Sequence, residues 1–281
     1  MTIELARVAG SNFSYQHHPL ERCFDDLATL GRAAVELWGI APHLHVPWAS
    51  DDDARRVRRT ASERGLDIVC FTPEQVMYPV NIASPDRRLR AESIAMFRRA
   101  AELAVELGSP KLFLTPGRGF ESEPREAAWR RSVDAIGEIA GRAAALGVEC
   151  LLEPLQRVES NLVNTARDAA RALADIGASN LGVALDTVAM SAAGETVDET
   201  FAVLGDRVRH VHLIDGSPTG HLAWGDGSLD LRGILASLDR HGYPGWMTVE
   251  LFGDGSYALD PRPALARSLA AIEAALPSPA R

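Results

Sequence analysis

Residues 85–115, PDRRLRAESIAMFRRAAELAVELGSPKLFLT, contain the unit from which the fold of this chain can be predicted. Apolar residues recur every three to four positions over residues 85–108, which indicates an amphipathic helix. Asp86 stands where a helix begins and Gly108 where a helix stops. KLFLT (111–115) is a short apolar run of strand length. The stretch therefore predicts one helix followed by one buried strand.

The same alternation continues in both directions and predicts eight strands. They are 5–10, 33–39, 66–72, 111–115, 149–155, 181–187, 208–215 and 246–252. Further amphipathic segments cover residues 122–147, 165–177, 231–241 and 262–276. Strands that alternate with helices form a parallel sheet, and eight units in 281 residues fit a closed barrel better than an open sheet. We expect an α/β fold, a single (β/α)₈ TIM barrel over residues 1–281.

Composition and charge disfavour several classes of partner. A net charge of −9 argues against nucleic acid, because neutralising phosphates needs a face rich in lysine and arginine. No apolar stretch approaches the roughly 20 residues that a membrane span requires, and the N-terminus has no signal-peptide pattern. The three cysteines are far apart and form no CxxC pair, which suits a reducing compartment. We expect a cytoplasmic protein that binds neither nucleic acid nor membrane.

The motifs of several cofactor chemistries are missing from the sequence. Lys111 is the only lysine, and it stands at the start of a predicted strand, away from the active end of a barrel. Schiff-base chemistry, which needs a lysine in the site, is therefore disfavoured. The glycine-rich signatures of dinucleotide and P-loop sites are also absent.

Candidate functional residues lie at the C-terminal ends of four consecutive predicted strands, where barrel enzymes place their active sites. They are Glu153, Asp186, His212 and Glu250. Each also has an ordinary structural interpretation, since a glutamate can be a solvated rim residue, Asp186 can cap a turn, and His210 or His212 can be a buried core histidine. His212 lies nearer the strand end than His210 and is the better candidate ligand. Taken together, three carboxylates at one mouth are costly to bury without a cation, and this set suits Mn²⁺ or Mg²⁺ better than a thiolate-bound zinc.

The segments around these residues carry a family resemblance. They are LLEPLQRVESN (151–161), ALDT (184–187), HVHLID (210–215) and MTVELF (247–252). They resemble the xylose-isomerase-like TIM barrel superfamily, and within it the ketose 3-epimerases and sugar isomerases, over essentially the whole chain. The resemblance implies one divalent metal ion held by Glu153, Asp186, His212 and Glu250, with Mn²⁺ preferred and Mg²⁺ or Co²⁺ as alternatives. It also implies that Glu153 and Glu250 form the catalytic acid–base pair, facing opposite sides of the substrate carbon.

This chemistry requires a metal because a proton next to a carbonyl is too weakly acidic for an unaided carboxylate. A metal on the carbonyl and hydroxyl oxygens stabilises the enediolate, so that one glutamate removes the proton and the other returns it. Return on the opposite face gives an epimer, whereas departure of a neighbouring group gives elimination. The four ligands alone leave both outcomes open.

Three further segments narrow the resemblance to two groups. They are WGIAPHLH (38–45), FTPEQVMYPVNIA (71–83) and LGDRVRHVHLID (204–215). They are similar to fructoselysine 3-epimerases and to the barrel subunit of bacterial C-glycoside deglycosidases, which cleave the carbon–carbon bond of 3-oxo-C-glycosides. By this resemblance Glu159 matches a position that holds a substrate hydroxyl, and His43 matches a histidine of both groups.

The chain departs from the ketose 3-epimerase pattern at two positions. Ala189 stands where these epimerases usually carry a histidine, and Pro218 where they place an arginine. Between strands seven and eight lies the glycine-rich stretch GSPTGHLAWGDGSLDL (216–231), in which His221 and Trp224 are candidate substrate contacts. The alternative interpretation is an ordinary surface loop with one packed tryptophan.

Aromatic residues in or near the predicted loops either pack in the core or line the mouth, and those that line the mouth would suit a ligand with an aromatic part. They are Trp38, Trp48, Phe71, Tyr78 and Phe120. For this reason the sequence interpretation favours a C-glycoside deglycosidase, a lyase that removes the C2 proton of a 3-oxo-glycoside and releases the aglycone from C1. That resemblance implies an oligomer that includes a small second subunit, and a separate oxidoreductase that supplies the substrate.

The main alternative is a 3-epimerase of a substituted ketose. An apurinic endonuclease is disfavoured by the acidic charge and the few histidines, and a non-catalytic binding protein by the intact ligand set.

Overall fold

The computed structural model describes residues 3–75, 79–217 and 219–276. Its strands are β1 (Val8–Ser11), β2 (Ala34–Gly39), β3 (Asp67–Pro73), β4 (Lys111–Leu114), β5 (Glu149–Leu152), β6 (Leu181–Asp186), β7 (Val208–His212) and β8 (Met247–Val249). Each pairs in parallel with the next, and β8 pairs with β1 through Val8 and Met247, so the sheet closes. The predicted (β/α)₈ barrel is confirmed.

Helices cover the outside of the barrel in the described ranges. They are α1 (Leu20–Thr29), α2 (Asp51–Ser62), α3 (Arg87–Leu107), α4 (Arg125–Ala145), α5 (Ala166–Ile176), α6 (Thr187–Ala192), α7 (Val197–Leu204), α8 (Leu231–Arg240) and α9 (Pro261–Ala275). Strands β2 and β6 are buried along their whole length because helices cover their outer face and side chains fill the barrel.

The helix predicted from residues 85–108 forms α3, and its ends explain its bounds. The Asp86 carboxylate accepts hydrogen bonds from the backbone N–H groups of Arg88 and Leu89, which caps the first turn. Gly108 ends the helix with φ of 72°, a left-handed conformation that glycine adopts without steric cost.

The predicted strands differ from the observed ones mainly at their ends. Residues 153–155, 213–215 and 250–252 leave the sheet and enter the loops. Of these residues, Glu153, Leu155, Glu250 and Phe252 line the cavity at the mouth of the barrel. The first predicted strand begins with a 3₁₀ turn over Leu5–Arg7. The sequence reasoning did not assign α1, α2, α6 or α7.

The prediction that Lys111 lies away from the active end of the barrel is supported by its placement. Lys111 begins β4 and donates from Nζ to the carbonyl of Arg209 on β7 (2.6 Å), at the end of the barrel away from the mouth. Cys70 and Cys150 are buried and unpaired, as is Cys23.

In the described ranges, no helix combines the length and apolar character needed to cross a bilayer.

Candidate active site

The four candidate ligands meet at the C-terminal mouth of the barrel. Asp186 and His212 are the last residues of β6 and β7, while Glu153 and Glu250 directly follow β5 and β8. All four side chains are buried, with at most 7% of any residue exposed. Their positions follow from the topology, because the C-terminal ends of neighbouring parallel strands converge at one rim.

His212 lies at the centre of this group. Its Nδ1 is 2.9 Å from Glu153 Oε1, 3.4 Å from Glu250 Oε2 and 3.9 Å from Asp186 Oδ2. The ring of Phe113 stacks on the imidazole, with the ring centres 5.1 Å apart. Three carboxylates therefore surround one imidazole nitrogen in a site from which solvent is largely excluded.

The environment shifts the pKa values of the two glutamates in opposite directions. Burial raises the pKa of Glu153 to about 8, although the adjacent His212 acts against this shift. Burial also favours the neutral form of Glu250, but the imidazoles of His212 and His221 outweigh it and lower the pKa of that carboxyl. The two glutamates therefore differ in proton affinity.

The donor set fits a divalent cation. Asp186 Oδ1 accepts the backbone N–H of Ala189 and caps α6, whereas the buried Oδ2 has no hydrogen-bond partner among the described residues. Ligand atoms of Glu153, Asp186 and His212 lie within 4.8 Å of one another, as do those of Asp186, His221 and Glu250. A buried carboxylate oxygen without a partner is costly unless a cation compensates it. Oxygen-rich sets with one imidazole suit Mn²⁺ or Mg²⁺.

A cavity of about 650 Å³ opens above these side chains. Phe13 lies between Trp38 and Phe252 on one wall, with ring centres 4.1 Å and 5.1 Å away respectively. Among the described residues that line the cavity there is no lysine or arginine, whereas Glu74 and Glu159 lie on its wall. The cavity is therefore acidic around the carboxylates and apolar along the wall formed by Phe13, Trp38 and Phe252.

Two of the predicted substrate contacts line this cavity. Glu159 Oε2 accepts the backbone N–H of Gln156 (3.1 Å), which holds the carboxylate in the loop after β5, and burial raises its pKa. His221 Nδ1 lies 3.0 Å from Glu250 Oε2, and the carboxylates around it raise the pKa of His221 to about 9 against the effect of burial. Both side chains stand where a bound substrate could contact them.

The placement of the other two predicted contacts requires a correction. Trp224 is 4% exposed and packs in the core, where its indole Nε1 donates to the carbonyl of Leu213 (3.0 Å). His43 does not line the cavity either, because its two ring nitrogens lie 2.8 Å from Asn12 Nδ2 and 2.8 Å from the carbonyl oxygen of His18. Trp224 and His43 therefore lie away from the cavity, and Trp224 agrees with the alternative interpretation of a loop with one packed tryptophan.

Most of the aromatic residues singled out from the sequence lie elsewhere. Trp38 lines the cavity and Phe71 is buried in the core, while Trp48 and Phe120 are exposed and away from the cavity wall. Tyr78 and Pro218 lie outside the described residues. The apolar wall instead depends on Phe13 and Phe252, which the sequence reasoning did not select.

Sequence reasoning also missed Glu36, a buried carboxylate on β2. Its oxygens lie 2.8 Å from His210 Nε2 and 3.1 Å from His212 Nε2. His210 is thus a core histidine with a hydrogen-bond partner, as one interpretation of the sequence allowed. The available signal was a single acidic residue inside the otherwise apolar run AVELWG (34–39).

Comparison with known proteins agrees with this architecture. Fructoselysine 3-epimerase of Shigella flexneri is 30% identical over 269 residues, 95% of this chain and 97% of that protein. Its counterpart in Escherichia coli O157:H7 is 31% identical over 265 residues, 94% of this chain and 96% of that protein. These relatives favour the epimerase alternative, and the deglycosidase preferred from the sequence is not supported.

Solved structures of similar proteins share the whole fold. The structure of an L-ribulose 3-epimerase superposes with a TM-score of 0.82 at 25% identity, covering 96% of this chain and 94% of that one. The D-psicose 3-epimerase of Clostridium cellulolyticum H10, solved with D-tagatose, gives a TM-score of 0.80 at 20% identity, covering 96% and 98%. The model of the xylose isomerase-like TIM barrel family matches residues 24–275. The chain therefore belongs to the xylose isomerase-like TIM barrel family.

Proposed function

We propose that this protein is a divalent-metal-dependent 3-epimerase that acts on a substituted ketose. The observation that carries the proposal is the arrangement at the mouth, where Glu153, Asp186 and Glu250 surround Nδ1 of His212 beneath an open cavity. Full-length similarity to fructoselysine 3-epimerases supports the same class of reaction.

Glu153, Asp186, His212 and Glu250 would hold the metal, and Mn²⁺ is the ion we propose, with Mg²⁺ and Co²⁺ as alternatives. When bound, such an ion acts as a Lewis acid on carbonyl and hydroxyl oxygens and so makes the neighbouring C–H more acidic. The unpartnered oxygen of Asp186 and the surplus of negative charge are the features of this chain that favour a cation there.

The two glutamates supply the proton transfer. One carboxylate removes the proton next to the carbonyl, and the other returns a proton on the opposite face, which inverts that carbon. Glu159 and His221 line the same cavity and would contact the sugar hydroxyls. Phe113 stacks on His212, and the carboxylates are buried at the floor of the cavity.

The cavity favours a sugar with an uncharged or cationic substituent over a phosphorylated one. Phosphate groups are usually held by arginine, lysine or helix N-termini, and the described cavity lining has neither arginine nor lysine. The volume of about 650 Å³ exceeds what a single free hexose fills, and Phe13 with Phe252 offers an apolar surface for the remainder. A ketose whose substituent is joined through a cationic amine nitrogen and continues as an apolar chain fits both properties.

The experiment that tests this function follows deuterium incorporation by NMR in D₂O, with Mn²⁺ and with EDTA. The panel contains a free ketohexose, an N-substituted fructosamine, a ketose phosphate and a 3-oxo-C-glycoside. We expect Mn²⁺-dependent exchange at C3 and recovery of an epimer, fastest with the fructosamine.

Other outcomes would contradict specific parts of the proposal. Release of an aglycone from the 3-oxo-C-glycoside would make the protein a lyase, and the small second subunit would then need to be sought. Preference for the ketose phosphate would contradict the substrate class. Exchange that persists in EDTA would contradict the metal requirement, and no exchange with any sugar would contradict the function itself.

A further inference from the structure

Glu36 is a buried carboxylate that lies beneath the candidate ligands, outside the set proposed to hold the metal. It belongs to β2, 176 residues before His212, and only 1% of it is exposed. Closure of the barrel brings its side chain across the interior to β7. The two carboxylate oxygens lie 3.1 Å and 3.3 Å from His212 Nε2.

The two ring nitrogens of His212 therefore face different groups. Nε2 faces Glu36, while Nδ1 faces Glu153, Asp186 and Glu250. A neutral imidazole carries one N–H and one lone pair. Since a carboxylate only accepts, pairing with Glu36 assigns the N–H to Nε2 and leaves the lone pair of Nδ1 directed at the cluster of carboxylates.

Glu36 is itself held in place by two other side chains. The hydroxyl of Thr72 donates to Oε1, and His210 Nε2 lies 2.8 Å from Oε2. His210 Nε2 also lies 3.0 Å from the hydroxyl of Thr248. These contacts hold the Glu36 carboxylate in one orientation in the barrel interior, just below the mouth.

Hydrogen bonds satisfy the Glu36 carboxylate without a second metal ion, while His210 Nδ1 has no hydrogen-bond partner among the described residues. Both oxygens of Glu36 have partners at hydrogen-bond distance, in contrast to the unpartnered Asp186 Oδ2 of the upper cluster. The cluster also lies wholly in the interior, since Glu36, His210 and His212 are at most 1% exposed.

We infer that Glu36 is a positioning residue, which orients His212 and fixes its tautomer so that Nδ1 can bind the divalent ion. This inference rests on the metal site of the proposed function. Partners of this kind typically change metal affinity by about 10–100-fold when they are removed.

The test measures Mn²⁺ dissociation constants by isothermal titration calorimetry for the wild type, Glu36→Met and Glu36→Gln. Methionine has a similar length, but its thioether sulfur is only a weak acceptor for the Nε2 hydrogen, so we expect binding about 10–100-fold weaker. Glutamine keeps one acceptor oxygen, so we expect an intermediate value. Thr248→Val is the matched control, because it removes a partner of His210 in the same layer while leaving Glu36 and His212 paired, and it should bind Mn²⁺ as the wild type does.

The possible results separate this inference from the proposed function. A wild-type protein that binds no divalent ion would contradict the metal site and with it the proposed function. If the wild type binds Mn²⁺ and a folded Glu36→Met variant binds it equally well, Glu36 is only a structural residue and the inference is wrong.

A measurement on the wild type covers the case in which the Glu36 variants do not fold. Long-range ¹H–¹⁵N NMR of the ¹⁵N-histidine-labelled, Mg²⁺-loaded protein reports which ring nitrogen of His212 carries the proton. We expect the proton on Nε2, in slow exchange with solvent. A proton on Nδ1, or an Nε2 without one, would overturn the inference.

Discussion

Glu149 and Glu153 stand at opposite ends of β5 and differ in what surrounds them. Glu149 begins the strand, is half-buried, and lies 3.9 Å from the guanidinium of Arg209. Glu153 follows the strand at the other end and lies 2.9 Å from His212 Nδ1. The glutamate that begins β5 is thus a peripheral charge, whereas the glutamate that follows the other end of β5 is part of the candidate site. This difference follows from the direction of the strand, so Glu149 can serve as the control for substitutions of Glu153.

Replacing either site glutamate with glutamine should stop proton exchange at the substrate carbon. We expect Glu153→Gln and Glu250→Gln each to lower kcat at least about 100-fold, the lower end of what general acid–base catalysis contributes. Glu149→Gln makes the same chemical change at the far end of β5 and should leave kcat near the wild-type value. The measurement is deuterium incorporation with saturating Mn²⁺ and substrate. Near-normal exchange by a metal-loaded Glu153→Gln or Glu250→Gln variant would refute the two-glutamate mechanism.

At the scale of elements, the loop between β7 and α8 is organised by one buried carboxylate. Asp215 accepts the backbone N–H groups of Gly216, Gly225, Gly227 and Leu229 at 2.8–3.0 Å. Its own backbone pairs with Leu222 on the opposite side of the loop. These bonds place His221, whose carbonyl accepts the N–H groups of Phe252 and Gly253 (2.9 Å each) and so joins this loop to the one after β8.

Replacing Asp215 with asparagine should loosen this loop while the barrel remains folded. The amide nitrogen cannot accept, so two of the four backbone donors lose their partner, and each unsatisfied donor costs about 1–3 kcal/mol. We expect faster hydrogen–deuterium exchange in peptides covering residues 219–229 and a lower kcat, because His221 is no longer held beside Glu250. Asp230→Asn is the control, since asparagine caps a helix as well as aspartate does and Asp230 caps α8. Unchanged exchange protection in Asp215→Asn would contradict this role.

At the scale of the whole molecule, barrel closure collects acidic groups that the unfolded chain keeps apart. The carboxylates of Glu36, Glu153, Asp186 and Glu250 come from four different strands or strand ends, and the chain as a whole carries a net charge of −9. Mutual repulsion among buried carboxylates opposes folding unless imidazoles or a cation offset it. A divalent ion at this site should therefore stabilise the folded state.

Metal addition should raise the melting temperature, and metal removal should lower it. A ligand that binds only the folded state at 100 times its Kd adds about 2.7 kcal/mol, which corresponds to roughly 5–10 °C in a chain of this size. We expect this shift with Mn²⁺ by differential scanning fluorimetry, and EDTA should reverse it. His212→Ala removes a neutral ligand and should show a smaller shift. A melting temperature insensitive to Mn²⁺, Mg²⁺ and Co²⁺ would contradict the metal site.

The sequence by itself predicted the eight-stranded barrel and the four side chains at the mouth. Helical and strand periodicity depend on neighbouring residues, and the C-terminal ends of parallel strands must share one rim, so Glu153, Asp186, His212 and Glu250 could be grouped without coordinates. Their role as ligands remains a prediction. Helix α3 was predictable for the same local reason, because Asp86 and Gly108 mark its ends within the sequence.

Only the tertiary structure decided which side chains meet across the barrel. The local sequence pattern indicates which face of a strand a residue occupies. It does not indicate which residue of a distant strand lies opposite, because that depends on barrel closure and strand register. The sequence could therefore not show that Glu36 pairs with His212. It also could not show that His210 pairs with Glu36 in the core while His212 lies at the rim. For the same reason the sequence left open whether Trp224 contacts substrate or packs in the core, where its indole is found bonded to the carbonyl of Leu213.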